Sequence, residues 1–194
     1  HNLLLAGVVV GAMFGSLLMF LVSISTTNML RDIIGWLLGN LEVAHWSDNY
    51  AVTVVVVLGV GLAMAFRRDL NVMLLGEEPA AHLGLRVERM KKFFFVLGSL
   101  VTAAAVATCG IIGFVGLIVP HVMRMILGAD HRYLVPGAAL AGALFLIVAD
   151  AFARNIMRLT PLGAVVIPIG VVTALLGGPF FLYLLRRRGK GYWN

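Results

Sequence analysis

The sequence predicts an all-α, polytopic membrane protein, on the evidence of its composition and the placement of its charges. Hydrophobic residues make up 61% of the 194 residues and charged residues only 12%, against about 25% charged residues in a typical soluble domain. The mean hydropathy is +1.00. Lys and Arg number 15 against 9 Asp and Glu, but they stand in short clusters between long apolar runs. That placement is typical of membrane proteins and argues against nucleic acid as a partner.

Six apolar segments are long enough, or nearly long enough, to cross about 30 Å of hydrocarbon as helices. They comprise residues 3–24, 50–66, 93–109, 110–127, 134–153 and 171–185. The last segment is short, so we expect it to include part of the preceding turn. Two further apolar stretches, residues 29–41 and 161–169, are too short to span and are interrupted by Gly or Pro. These two predict interfacial or re-entrant helices.

The distribution of Lys and Arg orients the six segments, because cytoplasmic loops carry an excess of both. With the C-terminus in the cytoplasm, only Arg31, Arg154 and Arg158 lie outside. The other basic residues lie inside, namely Arg67, Arg68, Arg86, Arg89, Lys91, Lys92, Arg124, Arg132, Arg186, Arg187, Arg188 and Lys190. We therefore predict a cytoplasmic C-terminus, and the three outer arginines need a function.

The first predicted helix carries Gly7, Gly11 and Gly15. Glycines four residues apart share one face of a helix and let another helix approach closely. Gly137 and Ala141 repeat this spacing in the fifth predicted helix. Close helix packing is the simplest interpretation of both patterns.

Residues able to perform covalent chemistry at membrane depth are few. Asp150 is the one carboxylate within a predicted span, and His121 follows Pro120 in the fourth span. The sequence contains no HExxH, paired-Asp, GxSxG or P-loop motif. Its single cysteine, Cys109, excludes a disulfide framework and a multi-cysteine metal site. An enzyme is therefore disfavoured, and the energy source for any transport must lie in another chain.

A charged turn, Asp130-His131-Arg132, precedes the fifth predicted span. A metal site needs three or four converging ligands, so we do not assign one here. We interpret Asp130 as the cap of the following helix and the basic residues as neighbours of lipid headgroups.

The predicted cytoplasmic loop of residues 69–92 is too long to be a tight connection. It contains two short amphipathic stretches, residues 71–75 and 79–85, separated by Gly76, Glu77 and Glu78. Short helices that present apolar side chains favour docking of a cytoplasmic partner. An amphipathic loop lying on the lipid headgroups explains the pattern equally well.

Two neighbouring motifs carry a family resemblance. They read GIIGFVGLIVPHVMR at residues 110–124 and GADHR at residues 128–132. On these motifs the sequence resembles the FecCD-type permeases, the membrane subunits of ABC importers for iron-siderophores, haem and cobalamin. Shorter matches lie at residues 76–77, 82–85, 149–150, 153–154 and 168–182. The matching residues of most interest are Gly113, Gly116, Pro120, His121, Arg124, Asp130, His131, Arg132 and Asp150.

The resemblance implies a type II ABC importer permease of about ten helices, of which this chain holds the C-terminal six, as a single permease domain over residues 1–194. It implies a second permease subunit, identical or paralogous, and two cytoplasmic ATPase subunits that bind ATP and Mg. A periplasmic or lipid-anchored substrate-binding protein docks outside the plasma membrane of a bacterium or archaeon. No cofactor or metal is expected on this chain.

Carried over by position, the resemblance assigns three sets of residues. The ATPase-coupling loop contains Gly76, Glu77, Glu78, Ala80, Ala81, Leu83 and Gly84. The helix that lines the translocation path contains Gly7, Gly11, Gly15, Met19 and Ser23. The outer arginine that pairs with an acidic residue of the binding protein is Arg154, with Arg31 and Arg158 as weaker candidates.

The chain departs from the family pattern at one place. The segment between Arg154 and Pro168 is a few residues longer than expected, and Val166 stands where a Glu often does. We therefore expect the outer surface near Arg154 to be shaped differently from that of the relatives.

The resemblance implies a permease that translocates an iron chelate, either a siderophore or haem, into the cytoplasm. It implies alternating access driven by ATP hydrolysis in the partner subunits. A cobalamin permease of the same family is one alternative. An ion-coupled secondary transporter is another, although Asp150 alone offers little for ion coupling.

Overall fold

The computed structural model describes residues 2–42, 46–156 and 167–189. These residues form helices joined by short connections and contain no strand, so the predicted all-α class is confirmed. The chain divides into two compact units, His1–Leu37 and Leu38–Asn194. The helices are α1 (Asn2–Ser23), α2 (Thr27–Leu37), α3 (Trp46–Ala65), α4 (Arg67–Met73), α5 (Glu77–His82), α6 (Val87–Cys109), α7 (Val115–Leu127), α8 (His131–Ile156) and α9 (Ile169–Gly189).

The first unit contains α1 and α2. The apolar side chains of α1 are largely exposed, Met13, Phe14 and Met19 among them, as suits a helix whose surroundings are lipid or other apolar helices. Along the same helix, Ser16 Oγ donates a hydrogen bond to the carbonyl oxygen of Ala12 at 2.9 Å. This bond satisfies the hydroxyl within the helix itself. The predicted short helix over residues 29–41 is observed as α2, two residues earlier at its start and ending at Leu37.

Among the described residues, three helices, α1, α6 and α8, contain segments long and apolar enough to cross a membrane. The α3–α4 pair adds a fourth if it counts as one span bent by 61°. The predicted span over residues 93–109 begins earlier, at Val87, because the basic start of α6 is helical too. The helix at the last predicted span begins at Ile169 and so includes part of the preceding turn, as expected, but its apolar part, Ile169–Leu182, is one of the shorter apolar helices.

The fourth predicted span, residues 110–127, was wrong in its extent. Residues 110–114 are not helical, and α7 is only 13 residues long. Gly110 and Phe114 have φ angles of 70° and 66°, in the left-handed region that interrupts a right-handed helix. This stretch is apolar, as the prediction assumed, but an apolar sequence does not by itself form a helix. Within the predicted helix of residues 161–169, residues 161–166 lie outside the described residues.

The second unit packs through small residues at its helix crossings. A Cβ atom on Gly137 of α8 would lie 2.5 Å from Leu127 Cδ1 of α7, and one on Gly59 of α3 would lie 2.4 Å from Val101 Cγ2 of α6. Glycine at these positions lets two helices approach closely. Close packing, the interpretation given to the Gly137 pattern, is therefore confirmed.

Three backbone segments meet at one junction in this unit, and polar backbone groups satisfy each other there. The Gly170 N–H donates to the Leu38 carbonyl oxygen at 3.1 Å, and the Asn40 N–H donates to the Cys109 carbonyl oxygen at 2.9 Å. Gly39, at φ +79°, lies against the carbonyl oxygen of Ile111. The helix break at Gly110 thus leaves the Cys109 carbonyl oxygen to accept the Asn40 N–H. Backbone polar groups within a membrane must find such partners inside the protein. The buried residues Ala149, Ala153, Ile169 and Val172 form the core between α8 and α9.

Candidate functional site

Helices α4 and α5 form a small hairpin that presents apolar side chains to solvent. Leu74, Leu75 and Leu83 are 48%, 62% and 66% exposed. Gly76, at φ 106°, precedes α5, and Gly84, at φ 86°, follows it, so glycine permits both reversals of the chain. We use the name hairpin surface for eight exposed residues of this element: Leu74, Leu75, Gly76, Glu77, Glu78, Ala81, Leu83 and Gly84.

Seven residues were predicted for the coupling loop, and six of them belong to the hairpin surface. The exception is Ala80, which is fully buried and whose carbonyl oxygen accepts a hydrogen bond from the Leu85 N–H at 3.1 Å. Ala80 therefore anchors α5, and its side chain is not available to a partner. The loop itself is more helical than expected, since α4 ends only at Met73 and α6 begins at Val87.

An ion pair ties the hairpin to α6. Lys91 Nζ lies 2.5 Å from Glu77 Oε2 and 3.5 Å from Glu88 Oε1. Exposed pairs of this kind contribute about 0–1 kcal/mol each. Glu77 is therefore engaged within the chain, whereas the neighbouring Glu78 lies exposed on the hairpin surface.

A second connection ties the hairpin to the first turn of α8 through the side chain of Asn71. Its Nδ2 donates to Asp130 Oδ1 at 2.8 Å. Its Oδ1 accepts the His131 backbone N–H at 2.9 Å and lies 2.7 Å from His131 Nδ1. Because the amide oxygen can only accept, His131 Nδ1 must carry a hydrogen in this arrangement. Asn71 could not be singled out from the sequence, since its partners lie about sixty residues away.

Asp130 caps α8, as the charged turn predicted. Its Oδ1 accepts the Arg132 N–H at 2.9 Å, and the preceding N–H, of His131, is taken by Asn71. Two of the free N–H groups that begin every helix are thus satisfied by side chains. The hydrogen bonds from the Arg132 N–H and from Asn71 lower the pKa of Asp130 below its usual value, because both favour the ionised carboxylate.

The matching residues of the first motif surround the helix break. Phe114 is the one described residue other than glycine with positive φ, and its side chain lies against Gly177 of α9. Pro120 is inside α7, and His121 is half-buried two residues after the buried Val119. Further matching residues are Gly113 and Gly116, at which a Cβ atom would meet no neighbour within 4 Å, and Arg124 near the end of α7.

Arg154, the main candidate for contact with a binding protein, pairs with Asp150 one turn earlier in α8. Arg154 Nε lies 2.7 Å from Asp150 Oδ2, and the side chains are 36% and 25% exposed. The lone carboxylate of the predicted fifth span is thus a partner of Arg154. Arg31 is exposed on α2, and Arg158 lies outside the described residues, as does Val166.

The predicted path residues all lie on α1 and are all exposed; they are Gly7, Gly11, Gly15, Met19 and Ser23. At each of the three glycines, a Cβ atom would meet nothing within 4 Å. Their role in translocation remains a prediction. In the described part of the chain, no three His, Cys, Asp or Glu side chains are grouped so as to hold a metal ion.

The sequence profile of one family matches nearly the entire chain. The profile is that of the FecCD transport family, and it matches residues 1–187. The chain belongs to the FecCD transport family. The resemblance carried by residues 110–132 is therefore confirmed.

The names of curated relatives specify different substrates. The chain is 46% identical over 96% of its length to the cobalamin import system permease protein BtuC of Halobacterium salinarum, covering 48% of that protein. It is 41% identical over 96% of its length to the hemin transport system permease protein HmuU of Yersinia pestis, covering 54%. It is 40% identical over 96% of its length to the Fe(3+) dicitrate transport system permease protein FecD of Escherichia coli, covering 57%. The chain thus spans about half the length of these relatives.

A solved structure shares the fold. It is an inward-facing conformation of a metal-chelate type ABC transporter, with a TM-score of 0.83 and 32% identity, over 94% of this chain and 58% of that one. The FecCD assignment and this structural match agree with the exposed apolar helices of a membrane protein.

Proposed function

We propose that this FecCD-family chain is part of the membrane-spanning permease of an ABC importer for metal chelates. The observation that carries the proposal is the exposed hairpin surface, because the family assignment supplies the type of partner that covers it. The partner is a pair of cytoplasmic ATPase subunits, which bind ATP and Mg. The chain itself performs no covalent chemistry and needs no cofactor.

Docking on the hairpin surface is supported by its shape and its chemistry. Leu74, Leu75 and Leu83 expose apolar area, which a protein partner buries favourably at the centre of an interface. The buried Ala80 and the Glu77–Lys91 pair fix α5 to the rest of the unit. A fixed projection of this kind passes movement of a docked partner to the helices behind it.

The sharpest test of docking uses Leu83→Asp and Glu78→Lys in the full-length permease, co-purified with the ATPase subunit encoded beside it. We expect Leu83→Asp to abolish the complex and Glu78→Lys to weaken it. Glu77 is a poor choice of probe, because Glu77→Lys would set two lysines against each other at Lys91.

The matched control is Trp46→Asp, since Trp46 is 76% exposed at the start of α3, outside both the hairpin surface and the predicted span of residues 50–66. Equal yields of complex from Leu83→Asp, Trp46→Asp and wild type would contradict docking at the hairpin surface. Chromatographic profiles of each permease alone establish that the variants remain folded.

At the other end of the unit, we propose that Arg154 contacts an acidic residue of an external binding protein. Its guanidinium is partly exposed and is held by Asp150 in a defined orientation. A charge in a fixed position speeds encounter and sets the register of docking. Arg154→Glu is expected to abolish docking of the binding protein, whereas Arg132→Glu, at the opposite end of α8, leaves it unchanged.

The substrate is proposed as an iron chelate, either a siderophore or haem. Cobalamin is a second candidate, favoured by the 46% identity to a cobalamin permease protein. Competition between radiolabelled cobalamin, haem and ferric siderophores for uptake by the reconstituted importer separates them. We further propose that the permease assembles either as a homodimer or with a paralogous subunit. Its C-terminus is proposed to lie in the cytoplasm.

An ion-coupled secondary transporter is the competing function, and one observation weakens it. Asp150 is engaged by Arg154 at 2.7 Å, so it is not a free carboxylate ready to exchange a proton or bind a cation. Uptake that requires ATP hydrolysis and persists without an ion gradient supports the importer.

A further inference from the structure

The attachment of α4 to its neighbours is unusual, because it depends on few buried contacts. Helix α4 contacts α3, α5 and α8, but none of its residues is buried. It is bent by 61° from α3 at Phe66, so it is not a straight continuation of that helix. Most of its residues are half-buried, and the side chain that hydrogen-bonds it to the first turn of α8 is that of Asn71.

The amide of Asn71 fits its partners in only one orientation. Its Nδ2 faces the Asp130 carboxylate at 2.8 Å, and its Oδ1 faces the His131 N–H at 2.9 Å. A rotated amide would set its oxygen against a carboxylate and its NH₂ against an N–H, which loses both bonds. The Asn71 contacts are thus directional, and they join elements that are far apart in sequence.

Helix α8 continues from these contacts to the opposite end of the unit. From His131 to Arg154 there are 23 residues, which span about 35 Å at 1.5 Å per residue. Gly137 of the same helix is packed tightly against Leu127 of α7. A shift in the first turn of α8 is therefore passed both to α7 and to the Arg154 end.

We propose that Asn71 is a positioning residue that links the hairpin surface to α8, so that movement of a docked ATPase displaces α8 together with α4 and α5. The inference rests on the proposed function as an ABC importer permease. Without Asn71, α4 and α5 still carry the hairpin surface, but their movement reaches α8 only weakly. ATP is then hydrolysed with little transport.

The test is the ratio of substrate imported to ATP hydrolysed by the full-length permease, with its ATPase and binding protein, in proteoliposomes. Asn71→Asp sets a carboxylate against Asp130, and we expect it to lower the ratio about five- to tenfold. The exchanged pair Asn71→Asp with Asp130→Asn sets an amide nitrogen at position 130 opposite a carboxylate at position 71, which restores the hydrogen bond between the helices. It gives up the contact that Asp130 Oδ1 accepts from the Arg132 N–H, so it should recover part of the ratio. The control is Asn49→Asp, a chemically identical change at an exposed position of α3.

A purely structural role predicts a different result. In that case ATP hydrolysis and uptake fall in parallel, the ratio stays at the wild-type value, and the proposal is overturned. It is also overturned if the exchanged pair is no better than Asn71→Asp. If Asn71→Asp alone fails to fold, Asn71→Ala decides, because it removes the bonds to Asp130 and His131 without adding a charge; a ratio equal to that of wild type then overturns the proposal.

A second readout separates this inference from the proposed function. If the wild-type complex hydrolyses ATP without uptake, the importer proposal is wrong. Hydrogen exchange in the peptide that contains the first turn of α8 then still tests Asn71. We expect ATP to change the rate of hydrogen exchange in this peptide. Asn71→Asp should remove that change, and the double variant Asn71→Asp with Asp130→Asn should restore it. A change in hydrogen exchange that does not depend on Asn71 would refute the inference.

Discussion

Replacing Gly170 with alanine is expected to destabilise the protein, because two carbonyl oxygens occupy the space that a side chain needs. A Cβ atom at Gly170 would lie 2.2 Å from the Leu38 carbonyl oxygen and 2.9 Å from that of Ile111. Ordinary carbon–oxygen contacts are more than 3 Å, so one backbone segment must shift by about 1 Å. The shift also disturbs the hydrogen bond from the Gly170 N–H to Leu38.

The expected magnitude follows from the nature of the obstruction. Overpacking a tight site costs about 1–3 kcal/mol, and backbone atoms yield less readily than the end of a flexible side chain. Gly98 of α6 provides the matched control, since a Cβ atom there would meet nothing within 4 Å and no proline follows it. Alanine at Gly98 should be neutral or should stabilise the helix by up to about 1 kcal/mol.

The assay is thermal unfolding of the full-length protein in detergent, followed by scanning fluorimetry for wild type, Gly170→Ala and Gly98→Ala. We expect the apparent Tm of Gly170→Ala to fall below that of wild type and the apparent Tm of Gly98→Ala to stay level or rise. Equal apparent Tm values for the two variants would refute the junction of residues 38–40, 109–112 and 169–170 as described.

Three further predictions concern the helix break, the cap of α8 and the hairpin. Gly177→Ala places a Cβ atom 2.3 Å from Phe114 Cβ and Cγ, so it should lower the apparent Tm and cost about 1–3 kcal/mol; an unchanged Tm contradicts this. The pKa of Asp130 is lowered from 3.8, so its carboxylate stabilises the fold fully above that value, and this stabilisation is lost as pH falls through the lower folded-state pKa. Asp130→Asn should therefore flatten the fall in Tm at acidic pH, and identical pH profiles would count against the cap. Lys91→Ala removes an exposed ion pair with Glu77 and should leave the apparent Tm close to that of wild type, because exposed pairs contribute little to stability; a fall in Tm as large as that of Gly170→Ala would contradict this.

Much of the architecture was predictable from the sequence, because a bilayer leaves few options for an apolar chain. Long apolar runs must form helices there, and segments within α1, α6 and α8 were predicted accordingly. The hairpin was predicted as two amphipathic stretches around Gly76, residues 71–75 and 79–85, and in the structure both helices begin and end a few residues earlier.

The break before α7 was not predicted, because hydropathy reports apolarity and not backbone conformation. Residues 110–114 are as apolar as a membrane-spanning helix, yet Phe114 adopts φ 66°. Such a conformation costs about 1–3 kcal/mol and persists only where surrounding contacts enforce it. Here the enforcing contact is Gly177, more than sixty residues later in the chain.

Polar contacts between separate helices could not be predicted from the sequence either. Asp130 was predictable as a cap because its partner, the Arg132 N–H, is local. Asn71 was not, because its partners lie on another helix. The Glu77–Lys91 pair likewise joins two elements whose approach only the fold determines.

Uptake by the complete importer tests the central claim most directly. The full-length permease, its ATPase and its binding protein are reconstituted in proteoliposomes, and uptake of radiolabelled iron chelate or cobalamin is measured with and without ATP on the side of the ATPase. The importer account predicts uptake that requires ATP hydrolysis and is lost in Leu83→Asp. Uptake that continues without ATP, follows an ion gradient and survives Leu83→Asp would contradict it.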